Sequence, residues 1–209
     1  MKKIKNYILI IIGFIMVGVG AAFTIKANIG MGAYDAISKT ISDIVHMKIG
    51  TMAIIVNTSC VLGQFLILRK DFKPVQVLQV PLSVLLGTVI NFVYYNLLTF
   101  EFNSFIGGII MYVLATLFIA FGVAIVMAVN EVTLALEGFC LALTRIIPKD
   151  FAKIRQYSDF LSLAIVTVLT LIFKLEWSIG LGTIIGAIIF GPVLGIYMKI
   201  LEPILGDNK

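Results

Sequence analysis

The stretch from Gly20 to Asn57, GAAFTIKANIGMGAYDAISKTISDIVHMKIGTMAIIVN, has a counterpart 102 residues further on, from Gly122 to Asp159, GVAIVMAVNEVTLALEGFCLALTRIIPKDFAKIRQYSD. In that register Gly20 falls on Gly122, Ala22 on Ala124, Asn28 on Asn130, Ala33 on Ala135, Asp35 on Glu137, Ile44 on Ile146 and Asn57 on Asp159. Apolar coincidences carry little weight in a chain this apolar. The three polar ones (Asn28 with Asn130, Asp35 with Glu137, Asn57 with Asp159) carry more, because such residues are scarce here. A second echo pairs LLGTVI at Leu85–Ile90 with GLGTII at Gly180–Ile185. Together they indicate an internal duplication.

The setting of this repeat is a bilayer. Hydrophobic residues make up 60% and charged residues 13% of the 209 positions, and mean hydropathy is +1.10, far from the composition of a soluble domain. Six apolar runs are long enough to cross a hydrocarbon core of about 30 Å as helices. They are 7–25, 49–68, 77–98, 105–129, 157–173 and 179–201. Spanning strands would alternate apolar and polar residues over about ten positions, whereas these runs are apolar all round. The expected fold is an all-α membrane protein forming a single domain over residues 1–209.

Lys2, Lys3 and Lys5 ahead of an apolar run that ends in small residues imitate a secretory signal. The run is longer than a typical signal core of about 7–15 residues, and the repeat uses it as a structural helix. Twelve Lys and Arg residues fall on one side of a six-span arrangement, in the groups around Lys2, Lys73, Lys149 and Lys199 together with Lys209. Four fall on the other side: Lys26, Lys39, Lys48 and Lys174. By the positive-inside rule both termini face the cytoplasm, and the loop around Glu101 faces out. The net charge of +5 is thus a topology signal and carries no nucleic-acid-binding patch.

Three crossings per half is an odd number, so the second half enters the membrane from the opposite side. The expectation is two inverted three-helix repeats, about 7–98 and 105–201, each with an extra short helix, 29–47 and 131–147. Inverted repeats place a substrate site near the midplane, where short or interrupted helices bring polar groups inward. In the first short segment Ala33, Ile37, Ile41, Ile44 and Val45 share one face, and Asp35, Lys39 and Asp43 share another at i,i+4 spacing. An interfacial helix lying flat, a re-entrant helix lining a cavity and a true span all fit this pattern. Pro192 is expected to kink or break the last span. The pairs Gly182 with Gly186 and Gly191 with Gly195 permit close helix contact.

The residues GVGAAFTIKANIGMGAYDAISKTISDIVHMKIGTMAIIVNT, Gly18 to Thr58, resemble the YczE/YitT type of bacterial integral membrane protein (DUF6198/DUF161-type). The features that carry the likeness are Gly30, Gly32, Tyr34, Asp35, Gly50 and Thr51, with Gly182, Thr183, Gly191 and Pro192 near the C-terminus. The resemblance covers roughly residues 10 to 200. Ala33 and Tyr34 stand where many members read Pro-Trp, and the second repeat has Val132 and Leu134 opposite Gly30 and Gly32. The family is largely uncharacterised. Some relatives are regarded as exporters, so the resemblance implies a membrane fold and a role in export.

An ionisable side chain inside a span costs several kcal/mol unless paired or solvated, and so marks a candidate site. Asp159 with Arg155 four residues before it, Glu137 in the apolar second short segment and its counterpart Asp35 are the carboxylate candidates. Asn28, Tyr34, Asn57 and Asn130 complete the expected substrate-binding or coupling set. Asn57, Gln64, Thr88, Asn91 and Asn96 are also placed to hydrogen-bond between helices. His46 alone makes no metal site, and Cys60 and Cys140 read as small buried hydrophobes with no disulfide. No catalytic residue, metal or cofactor is expected. A membrane enzyme would need a nucleophile with its base, or a metal triad, and no HExxH, GxSxG, Walker A or CxxC pattern occurs.

Three functions stay open: a small-molecule secondary transporter or exporter, with proton coupling as an option; the substrate-binding subunit of an ATPase-driven uptake system; and a membrane accessory protein. Expected partners are the lipid bilayer, an unknown small-molecule substrate and, as an open option, a second copy of the chain. The orientation is directly testable. In a background lacking Cys60 and Cys140, Ser104→Cys should react with a membrane-impermeant maleimide in intact cells and Asp71→Cys only after permeabilisation. The opposite pattern would invert the topology.

Overall fold

The computed structural model describes residues 2–100 and 104–206; Glu101 and Lys209, both used above for orientation, lie outside the described residues. These form eight α-helices and no strand. The helices are α1 (Lys2–Ala27), α2 (Ala33–Val45), α3 (Ile49–Leu68), α4 (Gln79–Phe92), α5 (Phe105–Val129), α6 (Ala135–Leu143), α7 (Phe151–Phe173) and α8 (Leu181–Leu205). A 3-10 turn at Pro74–Leu78 and a π turn at Val93–Leu97 extend α4 at its two ends. Six helices, α1, α3, α4, α5, α7 and α8, are long and apolar enough to cross a membrane. α7 starts at Phe151, ahead of the predicted 157, because its first two turns are polar on one face and apolar only on the other.

Four boundaries recur at the spacing seen in the sequence. α1 ends at Ala27 and α5 at Val129; α2 and α6 begin at Ala33 and Ala135; α3 and α7 at Ile49 and Phe151; α4 and α8 at Gln79 and Leu181. Each pair is 102 residues apart. The junction after α1 and after α5 is the same device: Asn28 and Asn130 both adopt left-handed backbone, with φ of 52° and 54°, a conformation that asparagine tolerates better than most residues and that ends a helix.

α1 and α5 cross in antiparallel sense at the centre of the bundle. A Cβ placed on Gly122 would stand 2.8 Å from the Gly13 carbonyl oxygen, and one placed on Gly20 would stand 3.1 Å from the Ala115 carbonyl oxygen. Small residues are needed there because backbone meets backbone. α3 lies against α4 through Gly50 and Gly87, where the Gly50 N–H donates to Asn91 Oδ1 at 2.9 Å and Asn91 Nδ2 donates to Thr51 Oγ1 at 3.0 Å. α8 packs along α5 and makes no comparable contact with α7. The face of the bundle holding the start of α1 and the ends of α3 and α5 is called the near face below; the opposite one is the far face.

Neither short helix lies flat on the surface. α2 is wedged against α3 and α7, and α6 against α3 and α7. The buried positions of α2 are Ala36, Ser38, Thr40 and Ser42, whereas Ile37, Ile41 and Ile44 are half-buried and Val45 is exposed. The apolar face predicted for this segment is therefore not its main contact surface. Small and hydroxyl-bearing side chains let α2 approach its neighbours closely, and of the bulky ones Ile37 packs against the main core while Val45 is exposed.

Pro192 does not break α8, which runs on through both Pro192 and Pro203; a proline inside a helix frees one carbonyl, which helices at membrane depth accommodate by local adjustment. Gly182 and Gly186 pack on the Tyr112 ring, while added Cβ atoms at Gly191 and Gly195 would meet nothing within 4 Å. These glycines therefore separate by substitution. Gly122→Val should destabilise the protein by about 1–3 kcal/mol, whereas Gly191→Ala should be neutral or stabilise by about 0.5–1 kcal/mol. Thermal unfolding in detergent distinguishes them, and equal effects would mean that α1 and α5 do not meet as described.

Candidate functional site

The sequence of α7 places Arg155 and Asp159 one turn apart on one flank, and the Arg155 guanidinium donates to the Asp159 carboxylate. Its Nε also lies 3.7 Å from Glu137 Oε1 on α6. The side chains of Arg155, Glu137 and Asp159 are 25%, 17% and 40% exposed, so the group sits in a recess that is neither sealed nor open to bulk solvent. A guanidinium with five donors is suited to hold two carboxylates at once.

Asp35 is brought to the same recess by the first turn of α2. It is half-buried. Lys39, one turn on, is bonded to Asp43 rather than to Asp35, which leaves Asp35 without an ion pair among the described residues. Burial pushes its carboxyl up from the ordinary 3.8 to about 6; Arg155 draws it down, and the nearby charges of Glu137 and Asp159 add to the rise.

Tyr34, beside Asp35, donates its hydroxyl to Asn57 Oδ1 at 3.2 Å and lies 3.3 Å from Cys60 Sγ, both on α3. Asn57 in turn donates Nδ2 to the Ala53 carbonyl at 2.8 Å. On the other side Cys140 of α6 stands 3.4 Å from the Ser158 hydroxyl of α7. Both cysteines are free. Of the eight site residues drawn from the sequence, Tyr34, Asp35, Asn57, Glu137, Arg155 and Asp159 thus come together among α2, α3, α6 and α7.

Asn28 and Asn130 do not join them. Asn28 lines a different cavity at the far face, and Asn130 is exposed at the near end of α5. Their recurrence reflects two equivalent helix ends, since a left-handed cap selects asparagine for backbone reasons alone. Cys60, Cys140 and Ser158 were not singled out as site residues, because small weakly polar side chains in apolar runs give no distinguishing signal.

A second polar group closes the near end. Buried Gln64 and Gln79 exchange amide hydrogen bonds of 2.7 and 3.2 Å, Gln64 also donates to the Ala135 carbonyl at 3.0 Å, and Gln79 donates to Thr133 Oγ1 at 3.1 Å. Thr133 donates to Gln76 Oε1 at 3.4 Å. At the far end the Met31 N–H donates to the Ser178 carbonyl at 3.1 Å, and Thr183 Oγ1 donates to the Met31 carbonyl at 2.7 Å. Among the described residues no cluster of His, Cys, Asp and Glu could hold a metal ion.

The chain belongs to the family of unknown function DUF6198. The family's sequence profile matches residues 4–199, which takes in all six long helices and both short ones almost to the end of α8. This DUF6198 chain is similar to the uncharacterized protein YyaS of Bacillus subtilis (strain 168), at 25% identity over 195 residues that span 91% of each chain. No solved structure matches it.

The raised Asp35 makes the stability of this DUF6198 protein pH-dependent with a definite sign. A carboxyl that titrates higher when folded than unfolded contributes stability that is complete below about 3.8 and lost as the pH rises through about 6. Asp35→Asn removes that loss. Its midpoint of thermal unfolding relative to the parent should therefore rise by a few degrees between pH 4 and pH 8. A constant difference across that range would show that Asp35 is solvated.

Proposed function

We propose that this protein is a secondary transporter or exporter of the bacterial cytoplasmic membrane, moving a small molecule by alternating access with proton coupling. The observation that carries the reading is a set of contacts that come in reciprocal pairs. The backbone N–H of Met31 bonds to Ser178, and Thr133 bonds to Gln76; Thr133 is the counterpart of Met31, and Ser178 that of Gln76, at the 102-residue shift. Gly13 meets Gly122, and Gly20 meets Ala115, which are again each other's counterparts. Such exchange is what a twofold relation between the halves produces. The antiparallel crossing of α1 and α5 and the odd number of spans in each half support an axis in the membrane plane, hence inverted repeats.

Under this symmetry the closures at the two faces are equivalent gates, and the carboxylate recess lies between them. Three carboxylates around one guanidinium carry an excess of two negative charges unless protons or a cationic group neutralise them. Low dielectric makes that excess costly, so proton uptake and substrate release are coupled through the same charge balance. Arg155 keeps part of the cluster ionised. Asp35, lacking a paired cation among the described residues, is the group that exchanges a proton. Tyr34 and Asn57 offer the neutral hydrogen bonds that orient a substrate.

The same reading places both termini in the cytoplasm, so that the near face is cytoplasmic, and retains the narrower likeness to YczE/YitT-type proteins. Internal symmetry favours a self-contained transporter over the binding subunit of an ATPase-driven system, which has no need of two gates. The group around Arg155 is dominated by part-buried charges, the usual mark of a transport pathway in a membrane protein, which favours transport over catalysis.

Vesicles containing the purified protein and a trapped pH dye test the proposal against a panel of small organic cations and anions. At least one compound should drive proton movement in the parent that Asp35→Asn and Glu137→Gln abolish, while both variants insert and unfold like folded protein. Proton movement equal in the parent and both variants, or absent for every compound, would overturn it.

A further inference from the structure

At the far face a cavity of about 360 Å³ lies between the end of α1, α2, the end of α4 and the α7–α8 connection, within the size range of small-molecule sites, about 300–1,000 Å³. None of Asp35, Glu137, Arg155 and Asp159 lines it. Its walls carry two ammonium groups, Lys26 and Lys39, one carboxylate, Glu176, and the rings of Tyr94 and Trp177. Lys26 Nζ stands 6.0 Å from the centre of the Tyr94 ring and 5.8 Å from that of Phe100, which holds the cation in place without neutralising it. Lys39 forms an ion pair with Asp43, so of the two ammonium groups Lys26 is the one without a carboxylate partner among the described residues.

Two features separate this lining from a by-product of the fold. Lys26, Lys39, Lys48 and Lys174 are the four cations on this side of the six-span arrangement, and two of them converge on one cavity, on the face where the positive-inside rule disfavours them. The second feature comes from the repeat. At the 102-residue shift the counterparts of Lys26, Lys39, Tyr94 and Trp177 are Ala128, Leu141, Ile196 and Val75. The other half therefore carries neither the charges nor the rings, and the lining is a specific addition to one side.

We propose that this cavity binds a small organic carboxylate. The anionic group sits on Lys26, at the edge of the Lys39–Asp43 pair, and the apolar body lies against the Tyr94 and Trp177 rings. Glu176 sets the charge limit: a second carboxylate on the ligand would face it, so the site takes monoanions. Thr24 and Ser178, also in the lining, supply hydroxyl groups at the edges. The site stands on this lining alone and does not depend on transport.

Trp177 is the only tryptophan in the chain and lines the cavity while 57% exposed, so tryptophan emission from the purified protein in detergent reports on this wall, with the neutral and cationic probes below controlling for its exposed face. Titration with benzoate should change that emission saturably, and benzylammonium and benzyl alcohol should not reproduce the change. Lys26→Gln should weaken benzoate at least tenfold, Lys39→Gln should also weaken it by leaving Asp43 uncompensated, Lys26→Arg should restore binding, and Glu176→Gln, at an exposed position, should tighten it. If benzyl alcohol acts like benzoate, or if the two Gln variants and Glu176→Gln all bind benzoate like the parent, the cavity is not a carboxylate site. No gradient is involved, so this result is independent of the vesicle assay.

Discussion

Where α1 crosses α5, main chain lies on main chain: Gly13, Gly20, Gly122 and Ala115 leave no room for larger side chains between the two carbonyl-lined surfaces. In lipid there is no hydrophobic force to press one helix on another, so association depends on close van der Waals contact, and only small residues allow it. Every other element is placed from this crossing. α4 lies on α1, with Gly18 against Leu86 and Val89, α8 lies on α5 through Gly182 and Gly186 on Tyr112, and α3 is reached from α4 through Gly50 and Gly87. The short helices are then held in the space that remains, against α3 and α7.

That placement explains why the polar chemistry collects where it does. A bilayer leaves buried donors and acceptors no water to fall back on, so amides and hydroxyls either cluster or are lost. Gln64, Gln79, Gln76 and Thr133 satisfy each other at the near end, and the backbone of Ile29–Met31 bonds to Ser178, Gly182 and Thr183 at the far end. The charged groups cannot be satisfied so simply. Arg155 holds Asp159 and lies beside Glu137, and Asp35 has no ion pair among the described residues, so that burial, against the pull of Arg155, raises its carboxyl.

Much of this could be read from the residues. Six apolar runs gave six long helices, and the scarce polar coincidences located the short helices and most of the recess, because an ionisable group in an apolar run is costly enough to be informative. Asn28 and Asn130 were read correctly as a recurring pair but for the wrong purpose: the same residue type serves a backbone cap and a polar contact. The packing face of α2, which carries Ala36, Ser38, Thr40 and Ser42, was not legible from the amphipathic pattern. Hydrophobic periodicity finds the core side of a helix in water, whereas inside a bilayer small residues allow the closest helix contact.

The sequence by itself determined that the chain is helical and membrane-embedded, with a pattern recurring after 102 residues, because length, apolarity and rare polar residues are properties of single segments. Only the tertiary structure decided that Glu137 reaches Arg155 from another helix, that Lys39 turns to Asp43 and leaves Asp35 alone, and that Lys26, Lys39 and Trp177 share a cavity. Those are choices among partners, and spacing along one helix cannot make them. They depend on how closely α1 and α5 approach and on which neighbour each remaining helix then meets.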